Sequence, residues 1–186
     1  MKSNIISLTL SLLIFIFTSQ SIASDQAWNI AQEGNKIILV RHSLAPGGGD
    51  PAGFKIDDCK TQRNLSKKGI NQSKKIGKLF KKNNVPVDQV LSSQWCRCKD
   101  TAKFAFGKFT EFKALNSTFQ SPFDKNEGKQ LKELYSFVKK WNGKGKNLVL
   151  ITHYSIITAV TNAVPSSGEI VIVDKNFKVL GTIQTD

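Results

Sequence analysis

The chain has 186 residues, enough for one domain with a full hydrophobic core and short for two. Apolar residues make up 40% against 22% charged, which excludes a disordered chain and fits a globular one. The formal charge of +13 favours anionic partners, but phosphorylated substrates, acidic headgroups, lipopolysaccharide and nucleic acid all fit it.

Residues 1–23 read as a leader peptide. Lys2 gives a short positive start, Ile5 to Phe17 is almost wholly apolar, and Ser21-Ile22-Ala23 offers small residues for cleavage after Ala23. The apolar stretch is short for a membrane span, which needs about 20 residues. Cleavage removes Lys2 and no acid, lowering the charge from +13 to +12. No other segment could cross a bilayer, so residues 24–186 are expected to form one soluble domain, exported to a periplasm or secreted.

Strands and helices then alternate. Lys36 to Val40 is a β-branched run that reads as a buried strand. A Gly-, Pro- and Asp-rich loop from Ser43 to Asn64 follows, and Ser66 can cap a helix running to about Asn83. Val87 to Leu91 reads as a second strand, and Trp95 to Phe106 as a helix ended by Gly107. A short strand is expected near Phe112 to Leu115. Glu127 to Trp141 has helical spacing, and Gly143-Lys144-Gly145 breaks it. Asn147 to Thr152 is another buried-strand run, leading into a helix from about Ser155 to Asn162. Glu169 to Val173 and Phe177 to Ile183 read as a hairpin turning at Asp174 to Asn176. This order predicts an α/β fold, a three-layer α/β/α sandwich with a mostly parallel central sheet. In such sheets ligands bind beyond the carboxyl ends of the strands.

The three cysteines are Cys59, Cys96 and Cys98. Export favours a disulfide, and a Cys96–Cys98 bridge would close a very small ring. Cys59 is therefore expected to pair with Cys96 or Cys98, leaving the third buried and free or intermolecular. A zinc site is less favoured, because both histidines are placed for other work.

Those histidines, His42 and His153, each follow a predicted strand with one residue between. Arg41 adjoins the first, and Arg97 begins a helix shortly after another strand. Four cationic or potentially cationic groups could thus converge on one crevice, as a phosphoryl dianion requires. The residue pattern alone reaches an anion-binding α/β crevice.

Leu39-Val40-Arg41-His42-Ser43, Asn64-Leu65-Ser66-Lys67-Lys68-Gly69, Ser92-Ser93 with Arg97 to Ala102, and Val149 to His153 occur in this order. Together they resemble the four motif blocks of the histidine phosphatase superfamily, phosphoglycerate mutase-like in fold, over roughly residues 36–160. The resemblance implies a metal-independent phosphomonoesterase in which His42 attacks phosphorus and becomes a phosphohistidine. It implies that Arg41, Arg97 and His153 hold the phosphoryl oxygens, that His42 donates its other ring N–H to a backbone carbonyl, and that no metal or other cofactor takes part. Ser43 stands where the family has Gly and could add a phosphate contact, as could Arg63. Glu127 is the candidate general acid, ahead of Asp124, Asp50, Asp57 and Asp58. His153 is followed by Tyr154, so the His-Asp pair of the acid phosphatase branch is absent.

The segments Asp57 to Arg63 and Trp95 to Cys98 resemble an exported subgroup similar to lipopolysaccharide-core heptose phosphate phosphatases. The expected partner is a small or lipid-linked phosphorylated substrate, with peripheral contact to an anionic membrane or lipopolysaccharide open to so basic a surface. Nucleic acid is not expected, because the lysine pairs Lys67-Lys68, Lys74-Lys75 and Lys81-Lys82 lack interleaved aromatics. Export disfavours cytoplasmic mutase or phosphohistidine-protein chemistry. The competing reading is a catalytically weak phosphate- or lipopolysaccharide-binding protein on the same fold, which would form no phosphohistidine.

Overall fold

The computed structural model describes residues 24–186, so the expected leader over 1–23 lies outside the described residues. Its strands are β1 (Ile37–Arg41), β2 (Val87–Ser92), β3 (Thr110–Glu111), β4 (Asn147–Thr152), β5 (Ile170–Val173) and β6 (Val179–Ile183). The helices are α1 (24–32), α2 (Lys67–Lys82), α3 (Cys96–Phe106), α4 (Glu127–Lys140) and α5 (Tyr154–Thr161).

The sheet has the order β3-β2-β4-β1-β5-β6. Pairing is parallel from β3 through β1, and β5 and β6 are added antiparallel. Strands buried on both faces need apolar side chains at every position, which is why 37–40 of β1 and 148–151 of β4 are unbroken apolar runs rather than alternating ones. Ile38, Val40, Val149, Ile151 and Ile172 belong to one core layer, under α1, α2 and α3. Ile37, Leu39, Leu148, Leu150 and Val171 belong to the other, with Leu134 and Val138 of α4 and Ile156 and Ile157 of α5. Burying each such side chain contributes about 1.5–3 kcal/mol. The fold is therefore a three-layer α/β/α sandwich around a mostly parallel sheet.

Helix α2 begins where the sequence places it: the Ser66 hydroxyl accepts from the Gly69 N–H at 3.1 Å. A Cβ on Gly69 would come 2.1 Å from the Leu44 carbonyl oxygen. That backbone approach presses the loop after β1 onto the start of α2. Among the described residues, no helix is long and apolar enough to cross a membrane.

Two local details differ from the sequence expectation. Phe112 to Leu115 is not a strand: pairing with β2 stops at Glu111, and Lys113–Leu115 forms a 3-10 turn. Ala114 and Leu115 are fully buried against the α4 layer, and Thr152 Oγ1 donates to the Leu115 carbonyl at 2.7 Å, so the chain turns inward there. The second is α1, which the strand-and-helix pattern does not single out. Its Ala27, Trp28 and Ala31 are buried, and Trp28 meets Phe80 edge-on.

The disulfide joins Cys59 to Cys96, 37 positions apart, and leaves Cys98 as a buried free thiol. It ties the long loop after β1 to the first residue of α3. Opening it, by reduction or by Cys59→Ser with Cys96→Ser, is expected to cost about 2–4 kcal/mol by releasing that loop in the unfolded chain. Thermal unfolding should shift down by roughly 5–15 °C. An unchanged midpoint would show that the bridge does not constrain the loop.

Candidate active site

Sheet order brings the two histidines together. β4 lies between β1 and β2, so the carboxyl ends of three consecutive parallel strands meet, with Arg41 level with Thr152 and Ser92 level with Ile151. Backbone bonds continue this register past the strands: His42 N donates to Thr152 O at 2.9 Å, and Ser93 N donates to Ile151 O at 2.9 Å. His42, His153 and Ser93 are thereby fixed side by side, and the two imidazole rings lie 5.4 Å apart at an interplanar angle of 66°.

A cavity of about 190 Å³ opens at this point, lined by Arg41, His42, Arg63, Arg97 and His153 with the glycines 47–49, Ser117, Phe119, Gln120 and Tyr154. A larger groove of about 590 Å³ lies beside α2 and includes neither histidine. The glycine loop takes a left-handed backbone at Gly49, φ +74°, where a Cβ would also come 2.8 Å from Gln120 Oε1.

The ring nitrogens can be assigned from their partners. His42 Nδ1 lies 2.9 Å from the Ser43 carbonyl oxygen, which can only accept, so Nδ1 carries the proton and Nε2 keeps a free lone pair. Arg97 Nη2 lies 3.4 Å from His153 Nδ1, and a guanidinium can only donate. The His153 proton is therefore on Nε2, given to Ser93 Oγ at 2.9 Å. Burial, and then the Arg97 charge, push both imidazoles well below the usual value of 6.5. His42 is thus a neutral imidazole with the lone pair on Nε2.

Arg97 is 2% exposed and is held by Asp50, whose carboxylate oxygens lie 2.9 and 3.1 Å from Nη1. Asp50, with a side chain 2% exposed, also accepts from Trp95 Nε1 at 2.9 Å and from Arg63 N at 3.0 Å. Arg63 donates through Nε to Gly49 O at 2.8 Å and through Nη1 to Ala45 O, and Arg41 donates to Pro165 O at 2.8 Å. Among the described residues, the Nε atoms of Arg41 and Arg97 are buried with no hydrogen-bond partner. Unsatisfied buried donors are costly, and an oxoanion seated between these arginines would satisfy them.

The structure thus brings Arg41, His42, Arg63, Arg97 and His153 to one cavity and leaves two other candidates outside its lining. Ser43 is fully buried and its hydroxyl accepts from Ser73 Oγ at 2.8 Å. Glu127, at the start of α4, accepts from Thr118 Oγ1 at 2.9 Å. Asp50, a candidate loop acid in the sequence, is instead the ion-pair partner of Arg97. Cys98 lies 3.4 Å from His153 Nε2, and burial pushes its thiol up to about 12, so it stays a thiol. Among the described residues, no group of three or more His, Cys, Asp or Glu side chains is placed to hold a metal ion.

No protein-family model matches the chain, and no curated protein matches it significantly. Solved structures do. The crystal structure of TTHB049 from Thermus thermophilus superposes with a TM-score of 0.58 at 16% identity, covering 81% of this chain and 99% of that one. Phosphoglycerate mutase from the same organism gives 0.55 at 16%, covering 81% and 99%. The Agrobacterium tumefaciens SixA protein, a proposed phosphohistidine phosphatase, gives 0.57 at 15%, covering 82% and 99%. The fold is phosphoglycerate mutase-like. At these identities the phosphoglycerate mutase-like neighbours establish architecture alone.

Proposed function

We propose that the protein is a phosphomonoesterase working through a phosphohistidine on His42. The observation that carries this reading is a neutral imidazole whose Nε2 is free, set in one cavity with the buried Arg97 and the half-buried Arg41, whose Nε–H donors are both buried and unsatisfied. His42 Nε2 attacks phosphorus as the bond to the leaving oxygen breaks, and water then attacks the phosphohistidine, releasing phosphate and restoring the neutral ring. Arg41, Arg97 and Arg63 offset charge on the phosphoryl oxygens, with His153 held in place between Arg97 and Ser93. No metal enters this scheme. A phosphatase on this fold is also what the phosphatase and mutase names among the structural neighbours suggest.

The substrate we infer is an extracytoplasmic phosphorylated sugar, lipid or lipopolysaccharide component. Support comes from the leader-like residues 1–23, the Cys59–Cys96 disulfide and the high positive charge. The test is turnover of small phosphomonoesters in the presence of chelator, followed by phosphorylated lipopolysaccharide fragments. Tight phosphate binding without turnover of any of them would assign the protein to the binding class instead.

The depressed histidines make a separate claim on stability. In the unfolded chain both titrate near 6.5, whereas in the fold both resist protonation. The unfolded state therefore binds more protons below pH 6.5, and the stability these groups contribute is present above that pH and lost as pH falls through it. The denaturant midpoint should fall between about pH 7 and about pH 5, and fall less in His42→Gln. A midpoint independent of pH over this interval would contradict the buried neutral pair.

A further inference from the structure

Breaking the phosphate bond of an alkyl ester requires a proton on the departing oxygen, and the scheme above leaves that donor unassigned. No carboxyl group is among the residues lining the cavity. Asp50 is committed to Arg97 and Trp95, and Glu127 to Thr118. Asp57 is exposed in a loop, Asp124 is exposed in the 3-10 turn Phe123–Asn126, and Asp58 caps the 3-10 turn Cys59–Thr61. The histidines are also excluded. The His42 proton points to the Ser43 carbonyl while Nε2 does the attacking, and the His153 proton is given to Ser93 while Nδ1 faces Arg97. Arginines do not release protons, and the Ser117 hydroxyl is too weak an acid.

One acidic O–H remains on the cavity wall. Tyr154 follows His153 directly, begins α5 and lines the cavity. Its ring centroid is 5.7 Å from the Arg41 guanidinium carbon and 5.7 Å from the ring of Phe119, which is itself 52% exposed. We propose that Tyr154 is the general acid of this site. It rests on the phosphohistidine reading: the phenol gives its proton to the leaving oxygen as the P–O bond breaks, and the phenolate takes one back from the water that attacks the phosphohistidine. Between the two steps the Arg41 guanidinium offsets the phenolate charge. Phe119, half exposed on the same cavity wall, places an apolar ring beside Tyr154.

The test compares the parent with Tyr154→Phe, which keeps the ring and its contacts, on two esters. The leaving group of 4-nitrophenyl phosphate departs unprotonated, whereas that of glycerol phosphate must be protonated. The variant should lose about 10²-fold in kcat/KM on glycerol phosphate and keep kcat/KM on 4-nitrophenyl phosphate, which ends at release of the nitrophenolate, within about threefold, with an unchanged melting temperature. Equal losses on both esters, or no loss on either, would overturn the assignment while leaving the phosphohistidine reading intact. So would a parent that turns over the aryl ester and not the alkyl one. A parent that turns over neither ester would overturn both.

Discussion

Replacing His42 by Ala is expected to reduce turnover by about 10⁴-fold or more, because no other group can take the phosphoryl. The Ser43 carbonyl holds the proton on Nδ1, which leaves Nε2 as the attacking atom, and burial together with the arginine charges keeps the ring neutral. His153 cannot substitute, since its Nε2–H is engaged by Ser93 and its Nδ1 by Arg97. The variant keeps all three arginines, so inorganic phosphate should still raise its melting temperature, which separates lost chemistry from lost folding. Turnover close to the parent's would remove His42 from the mechanism. Loss of phosphate stabilisation along with turnover would point to a collapsed site.

Arg97→Ala has the second largest expected effect, and it acts on two properties. The guanidinium compensates the buried Asp50 carboxylate and orients His153, so its removal leaves a buried charge with only the neutral donors Trp95 Nε1 and Arg63 N. Breaking a buried pair from one side costs about 3–5 kcal/mol. Removing a preorganised donor of this kind lowers kcat by about 10²–10³-fold. The two losses can be separated by the double variant Arg97→Ala with Asp50→Ala. It should recover part of the stability, because no buried charge is then orphaned, and none of the activity. A double variant no more stable than Arg97→Ala alone would show that the Asp50 charge is not what destabilises the single one.

Much of this is legible in the residues because burial on both faces writes itself into a strand. Ile37 to Val40 and Leu148 to Ile151 carry no polar position at all, and a His one residue past each run marks the crevice at once. What periodicity cannot supply is strand order. Nothing local says that β4 lies between β1 and β2, yet that neighbour relation is what sets His42, His153 and Ser93 side by side. Helix α1 is silent in the sequence for a related reason: Ala27, Trp28 and Ala31 are buried by Phe80 and the far end of the sheet, and not by any signal of their own. Asp50 is the clearest case. In the sequence it is one of several acids in a glycine-rich loop; in the fold that loop closes over Trp95 and Arg97, and the carboxylate becomes the arginine's partner across 47 positions. Glu127 meets the reverse outcome. In the sequence it is an acid beyond the third motif block; in the fold it accepts from Thr118 and does not line the cavity.

The most direct test is to trap the intermediate. The parent would be mixed briefly with a phosphomonoester in chelator, quenched in alkali, digested and analysed by mass spectrometry beside His42→Ala. A phosphoryl group on the peptide containing His42, stable in base, lost in acid and absent from the variant, is the expected result. A parent that turns over substrate with no such adduct, or with the phosphoryl on another residue, would contradict it.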